Sequence, residues 1–220
     1  MLEPSGIYFI LKDKCQGQET LTYPDMNFFG VGLGLPTQTV DTYKKIFRLR
    51  NTPEGKMSML EIGTKAPDFK LTATDGKSDS LKEKLSTDLT LIAFFKINCP
   101  TCQFTFPFLE KLHKNYAGKG FTLWGISQNN QAETLQFARE YKISFPLLLD
   151  QNNYQISYAY GITVVPTLFL IDTNQEILFS GEGFAKEDLE KLSRDIAERV
   201  GTTVVDIFAG ESYLPAFKAG

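Results

Sequence analysis

The chain has 220 residues, 42% of them hydrophobic and 22% charged, with 23 basic side chains against 26 acidic ones and a net charge of −3. That length supports one sizeable core and an appendage, and the near balance of charge gives no electrostatic case for a nucleic-acid partner or a polybasic membrane surface. No stretch approaches the roughly 20 apolar residues of a membrane span.

At the start, Met-Leu-Glu-Pro and the brief apolar run Ile7 to Leu11 lack the basic flank and long apolar region of a secretory signal. The expectation is a cytoplasmic protein, in which closely spaced cysteines cycle rather than staple. Residues 1–56 read as an extension, aromatic-rich around Tyr23 to Phe29 and glycine-rich through Gly30-Val31-Gly32-Leu33-Gly34, then mixed basic at Lys44, Lys45, Arg48 and Arg50. The glycine run lacks the Lys-Ser/Thr of a phosphate loop and the spacing of a dinucleotide fingerprint, so it reads as a flexible loop. Cys15 has no partner by spacing and is expected to be a free thiol. Met57 and Met59 stand where the pattern changes, so this segment is either weakly structured or the product of an over-long start assignment.

A domain is expected over 57–201. It opens with a short strand in Ala66-Pro67-Asp68-Phe69-Lys70-Leu71 and a turn at Thr74-Asp75-Gly76-Lys77, whose Asp-Gly pair suits a tight reversal. Ser80 can cap a short helix, with Glu83 at the third position of a capping box. Leu89 to Phe95 is too short and too rich in aromatic and branched residues for a buried helix, and predicts a central strand covered on both faces.

Polarity returns at Lys96, and the chain then reads Cys99-Pro100-Thr101-Cys102. A cysteine at the first turn of a helix faces unpaired backbone N–H groups and the positive end of the helix dipole, which favour thiolate over thiol. Cys99 is accordingly the expected nucleophile. Pro100 suits the first helical position, and Cys102, three residues on, returns to the same face as a resolving thiol. Against this stand two plainer readings. Half a zinc site would need further ligands from Cys15, His113 and carboxylates, with no second such pair in the chain; a buried structural pair would sit within an element rather than after a strand end. No metal and no cofactor are expected.

The helix that follows carries Phe104, Phe108 and Leu112 at every fourth position and ends at Gly118-Lys119-Gly120, before a strand over Phe121 to Ser127. His113, the single histidine, is read as a packing or surface residue. Gln131 to Lys142 reads as an amphipathic helix with Leu135 and Ala138 inward and Arg139 on the surface, then a strand from Phe145 to Leu149 and a helix from Asn153 to Tyr160. A hairpin over Thr167 to Asp172 and Glu176 to Ser180 leads into a closing helix, Lys186 to Val200, with Leu189, Leu192 and Ile196 inward. Residues 202–220 have no clear period and read as a C-terminal arm, either packed on the domain or paired with a neighbour.

From about Glu61 to Gly201 the sequence resembles the thioredoxin superfamily, and within it the redoxin branch of TlpA-like oxidoreductases and the AhpC/TSA group. The resemblance rests on Ala66-Pro67-Asp68-Phe69, on Phe94 to Cys102, on Pro107 five residues beyond Cys102, and on Tyr160 to Thr167 followed by Leu168 to Asp172. It implies an α/β thioredoxin fold, a central mixed β-sheet flanked by helices, with a redoxin-type insertion in the strand–helix unit after Gln131. Pro107 matches the proline that kinks the family's active-site helix. Pro166 matches the family's cis-proline, beside which Val165 would offer backbone groups to a substrate chain.

Two departures bear on the chemistry. Thioredoxins carry a buried Asp six residues before the first cysteine, where this chain has Ala93, so the base for Cys102 is unassigned. Peroxidases of the branch carry Pro and Thr seven and three residues before their reactive cysteine, where Ile92 and Lys96 stand here; Cys102 also replaces the Glu that usually follows their Cys-Pro-Thr. The leading expectation is a thiol–disulfide oxidoreductase with a protein or small-molecule disulfide as substrate and a separate reducing partner. A thiol peroxidase and a redox-fold binding module are the alternatives.

Overall fold

The computed structural model describes residues 58–220. The expectations placed on residues 1–56, including the free thiol at Cys15, the glycine loop and the missing signal, lie outside the described residues. Within them no helix is long and apolar enough to cross a membrane.

The chain runs β1 (Lys70–Ala73), β2 (Ser78–Ser80), α1 (Leu81–Leu85), β3 (Leu89–Phe95), α2 (Pro100–Tyr116), β4 (Phe121–Ser127) and α3 (Gln131–Glu140). It continues through β5 (Leu147–Leu149), α4 (Gln155–Ala159), β6 (Thr167–Ile171), β7 (Ile177–Glu182), β8 (Phe184–Ala185), α5 (Lys186–Arg199) and β9 (Phe217–Lys218). Seven strands make one mixed sheet in the order β2-β1-β5-β4-β3-β6-β7. In it β3 lies parallel to β4 and antiparallel to β6, so that every residue of β3 is buried.

Alternation along β3 builds both halves of the core. Leu91, Ala93 and Phe95 point to the side covered by α2 and α5, with Phe106, Leu109, Leu192 and Ile196. Ile92 and Phe94 point to the other side, where Leu81 and Leu85 of α1 pack with Phe69, Trp124 and Tyr160. A central strand apolar on both faces is thus the sequence mark of a sheet sandwiched between helices.

Several boundaries differ from the sequence reading, each for a local reason. β1 begins at Lys70 rather than Ala66, because the Asp68 carboxylate accepts from the backbone N–H groups of Phe69 and Lys82 at 2.9 and 3.0 Å and ties the chain to the start of α1. The short strand β2 was not expected, since Ser78-Asp79-Ser80 carries no apolar alternation; it is made by pairing with β1 across the Asp75-Gly76 turn. β5 is confined to Leu147–Leu149, as Pro146 brings no N–H to the ladder and only its carbonyl is used, by Gly125. On α3 the buried positions are Thr134 and Phe137, with Leu135 and Ala138 only half-buried, and the helix stops at Glu140 before Lys142 takes a φ of 55°.

Helix α4 starts at Gln155, two residues later than expected, because Asn153 and Tyr154 adopt left-handed φ values of 58° and 52°. Its first turn is capped from a distance by Asp150, a buried carboxylate that accepts from Ile156 N at 3.1 Å, Ser157 N at 2.7 Å and Ser157 Oγ at 2.8 Å. Burial pushes the Asp150 carboxyl up from its ordinary value while these donors pull the other way. Replacing Asp150 by Ala is expected to leave buried donors without an acceptor, at a cost of about 2–3 kcal/mol in urea unfolding, with Asp150→Asn losing less because one oxygen remains.

Residues 202–220 pack on the domain. Ile207 and Phe208 are buried, Phe208 against the rings of Phe108 and Phe184 at centroid distances of 4.9 and 6.0 Å. The Tyr116 hydroxyl, buried under this segment, accepts from Val205 N at 2.8 Å and lies 2.9 Å from Ser193 Oγ. Further on, β9 pairs antiparallel with β8, Phe184 opposite Lys218 and Ala185 opposite Phe217.

Candidate active site

Where β3 ends, its backbone direction is set by pairing on both sides, and the loop Lys96-Ile97-Asn98 is pinned at its centre. Ile97 N donates to Asn129 Oδ1 at 3.1 Å, and Gln103 Nε2 donates to Ile97 O at 2.8 Å. Cys99 then takes the N-cap of α2, with φ −85° and ψ 115°, and Pro100 fills the first helical position. As an N-cap residue its sulfur takes the place usually held by a serine oxygen, accepting from Cys102 N at 3.3 Å.

These donors act on the sulfur's charge. The Cys99 thiol is pulled down from an ordinary 9.0 to about 6, first by the hydrogen bond from the Cys102 side chain, then against burial by the backbone N–H groups of Cys102 and Thr101 and by the charge of Lys96. The Val165 carbonyl works the other way: the Cys99 S–H donates to it at 3.2 Å, a bond that only the protonated form can make. Cys99 and Cys102 are both reduced thiols, 2% and 0% exposed.

The second wall of the site is the loop before β6. The Val165–Pro166 bond is cis, and the loop is held by Thr167 Oγ1 donating to Val164 O at 2.7 Å and by Gly183 N donating to Pro166 O at 2.7 Å. The structure therefore brings Cys99, Cys102, Val165 and Pro166 together, the cysteines as their spacing predicts and the loop residues as the resemblance implies, with Thr101 between the cysteines. Pro107 lies inside α2, where its missing N–H leaves the Gln103 carbonyl without the usual helical donor. Ala93 is buried in β3 and offers no base to Cys102.

Lys96 was read as the end of the strand and as a departure from the peroxidase pattern; its charge adds to Cys99 ionisation. A basic residue three positions before a nucleophilic cysteine was the available signal. Nothing in the sequence marked Ala219, whose carbonyl accepts from Thr101 Oγ1 at 2.6 Å. His113 packs edge-on against Phe145 with centroids 5.8 Å apart, and burial holds its imidazole below the ordinary value. Among the described residues no cluster of three thiol, imidazole or carboxylate groups is placed to hold a metal ion.

A thiol lowered to about 6 carries two measurable consequences. Iodoacetamide labelling of Cys99 in the reduced protein should rise with pH about a midpoint near 6. Stability follows the same group: its folded pKa is depressed, so between pH 6 and 9 the unfolded thiol binds more protons than the folded one. Melting temperature, relative to Cys99→Ser, should therefore climb through that window as pH rises, and the gain should be lost as pH falls through about 6.

Compared with known proteins, residues 62–180 match the AhpC/TSA family. A thiol-disulfide oxidoreductase ResA from Halalkalibacterium halodurans is 33% identical over 122 residues, covering 55% of this chain and 68% of its own. The corresponding ResA from Bacillus thuringiensis is 29% identical over 143 residues, covering 64% of this chain and 82% of its own. A solved thiol:disulfide interchange protein from Bacteroides sp. superposes with a TM-score of 0.56 over 70% of this chain and 95% of its own, at 23% identity, a likeness of fold.

Proposed function

The chain belongs to the AhpC/TSA family, and from that premise we propose that it is a thiol–disulfide oxidoreductase working through Cys99 and Cys102. The observation that carries the reading is the Cys99 sulfur at the mouth of α2, drawn toward ionisation at about 6 and set 3.2 Å from the carbonyl of Val165. In the reducing direction, the Cys99 thiolate attacks one sulfur of a substrate disulfide. The substrate S–S bond breaks, a Cys99–substrate S–S bond forms, and the departing substrate thiolate takes up a proton. Cys102 then loses its proton and attacks Cys99, closing an intramolecular disulfide and releasing the second substrate thiol. Two electrons pass from the dithiol to the substrate, and a separate reducing partner restores the pair.

Val165 and Pro166 are the groups against which the substrate chain would lie, by strand addition at a short edge. Thr101 and Pro100 hold the first turn that presents the sulfur. Substrates on this reading are protein or small-molecule disulfides. The peroxidase alternative is weaker, because Ile92 is wholly buried and apolar at the position where such enzymes shape the peroxide pocket.

The deciding experiment measures insulin-disulfide reduction and peroxide consumption side by side, both with a recycling dithiol. Brisk insulin reduction with slow peroxide consumption supports the oxidoreductase; the reverse pattern, lost in Cys99→Ser, would replace it with the peroxidase.

A further inference from the structure

Cys99 is 2% exposed, an odd condition for a sulfur that must meet a visiting disulfide. The last stretch of this sequence lies against both of its neighbours, Thr101 and Val165. Lys186 N donates to Ala216 O at 2.9 Å, and β9 runs antiparallel to β8. Beyond it the Ala219 carbonyl accepts from Thr101 Oγ1 at 2.6 Å, inside the Cys99–Cys102 turn itself. Gly220 then lies against Val165 so closely that a Cβ built on it would stand 2.6 Å from the Val165 carbonyl oxygen. That oxygen is the one 3.2 Å from the Cys99 sulfur.

We propose that residues 216–220 form a tethered cover over the thiol pair, standing in the groove where a partner chain must lie, so that a disulfide reaches Cys99 only when this segment lifts. The consequence for turnover rests on the oxidoreductase reading; the cover's effect on access to the sulfur is measurable without it.

Two features fit a cover rather than a fixed part of the core. It is close-fitted at its end: a Cβ on Gly183 would meet the Lys218 carbonyl at 2.5 Å, so the segment seats against bare backbone on both sides. It is also lightly anchored. β9 pairs through two residues, Phe217 is 60% exposed, and the half-buried Lys218 sets its ammonium over the Phe104 ring at 4.7 Å. Segments with few buried apolar contacts open locally far more often than the whole domain unfolds. Residues 207–208, by contrast, are buried and keep the tether in place while its end moves.

The test compares the full chain with Gly220→Val, whose added side chain collides with Val165 and should unseat the segment while touching neither cysteine. Iodoacetamide labelling of Cys99 at saturating pH, where the thiol is ionised in both proteins and access alone differs, should run about tenfold faster in the variant. A rate within about twofold of the parent chain in a folded variant overturns the proposal. Hydrogen exchange on the parent chain gives a second reading that needs no substitution. The Lys186 amide, bonded to Ala216, should exchange far faster than the amides of β3; exchange only on global unfolding would equally sink the cover.

Insulin reduction measured on the same samples keeps the two readings apart. Faster labelling with no insulin reduction by either protein upholds the cover and removes the oxidoreductase. Equal labelling with ready reduction by both does the opposite.

Discussion

Cys99→Ser should abolish disulfide reduction, lowering turnover by at least about a thousandfold, because the hydroxyl remains protonated where the thiol is ionised and the remaining thiol of the site, Cys102, is fully buried. The fold should survive. Serine is a preferred N-cap residue, and its oxygen can accept from Cys102 N in place of the sulfur. The loss is thus chemical, and circular dichroism of the variant at the parent's melting range separates it from unfolding. Residual turnover above that bound would mean that Cys102 or another thiol is the attacking group.

Cys102 carries the second large effect, and its two substitutions part company. In Cys102→Ser the first exchange step stays intact while the second has no thiol to complete it, so a covalent Cys99–substrate adduct should accumulate and be visible by intact mass under non-reducing conditions. Catalytic turnover should fall by about a hundredfold or more, with slow release by external thiol alone. Cys102→Ala adds a change at Cys99. The Cys102 side chain is the largest influence lowering the Cys99 thiol, so removing it should move the iodoacetamide midpoint upward from about 6. Serine at the same place keeps a donor and should move it less. Equal midpoints in the two variants would show that backbone N–H groups, not the side chain, govern ionisation.

The cysteine pair and its surroundings were legible because each feature is local in the chain. A seven-residue run this rich in aromatic and branched residues is too short for a buried helix and reads as a doubly covered strand. The proline after Cys99 marked the start of a helix, of which Cys99 proves to be the N-cap, and the helix entered at Pro100 brings Cys102 round on the next turn. The cis bond at Pro166 was suggested by the resemblance and is present. Where the reading slipped, the cause was again local chemistry overruled at a distance. Asp68 and Asp150 are spent on backbone N–H groups of α1 and α4, drawing the edges of those elements away from where hydrophobic pattern alone would put them.

What the amino-acid order determined by itself was the strand Leu89–Phe95 and the two cysteines placed just beyond its end, since periodicity and spacing act over a few residues. Tertiary structure alone decided what lies against the residues beside those sulfurs. Ala219 and Gly220 carry no pattern, yet they meet Thr101 and Val165 across 118 residues of chain and a separate loop. Contacts made by backbone carbonyls and absent side chains leave no mark on composition or period, so only the folded chain can display them.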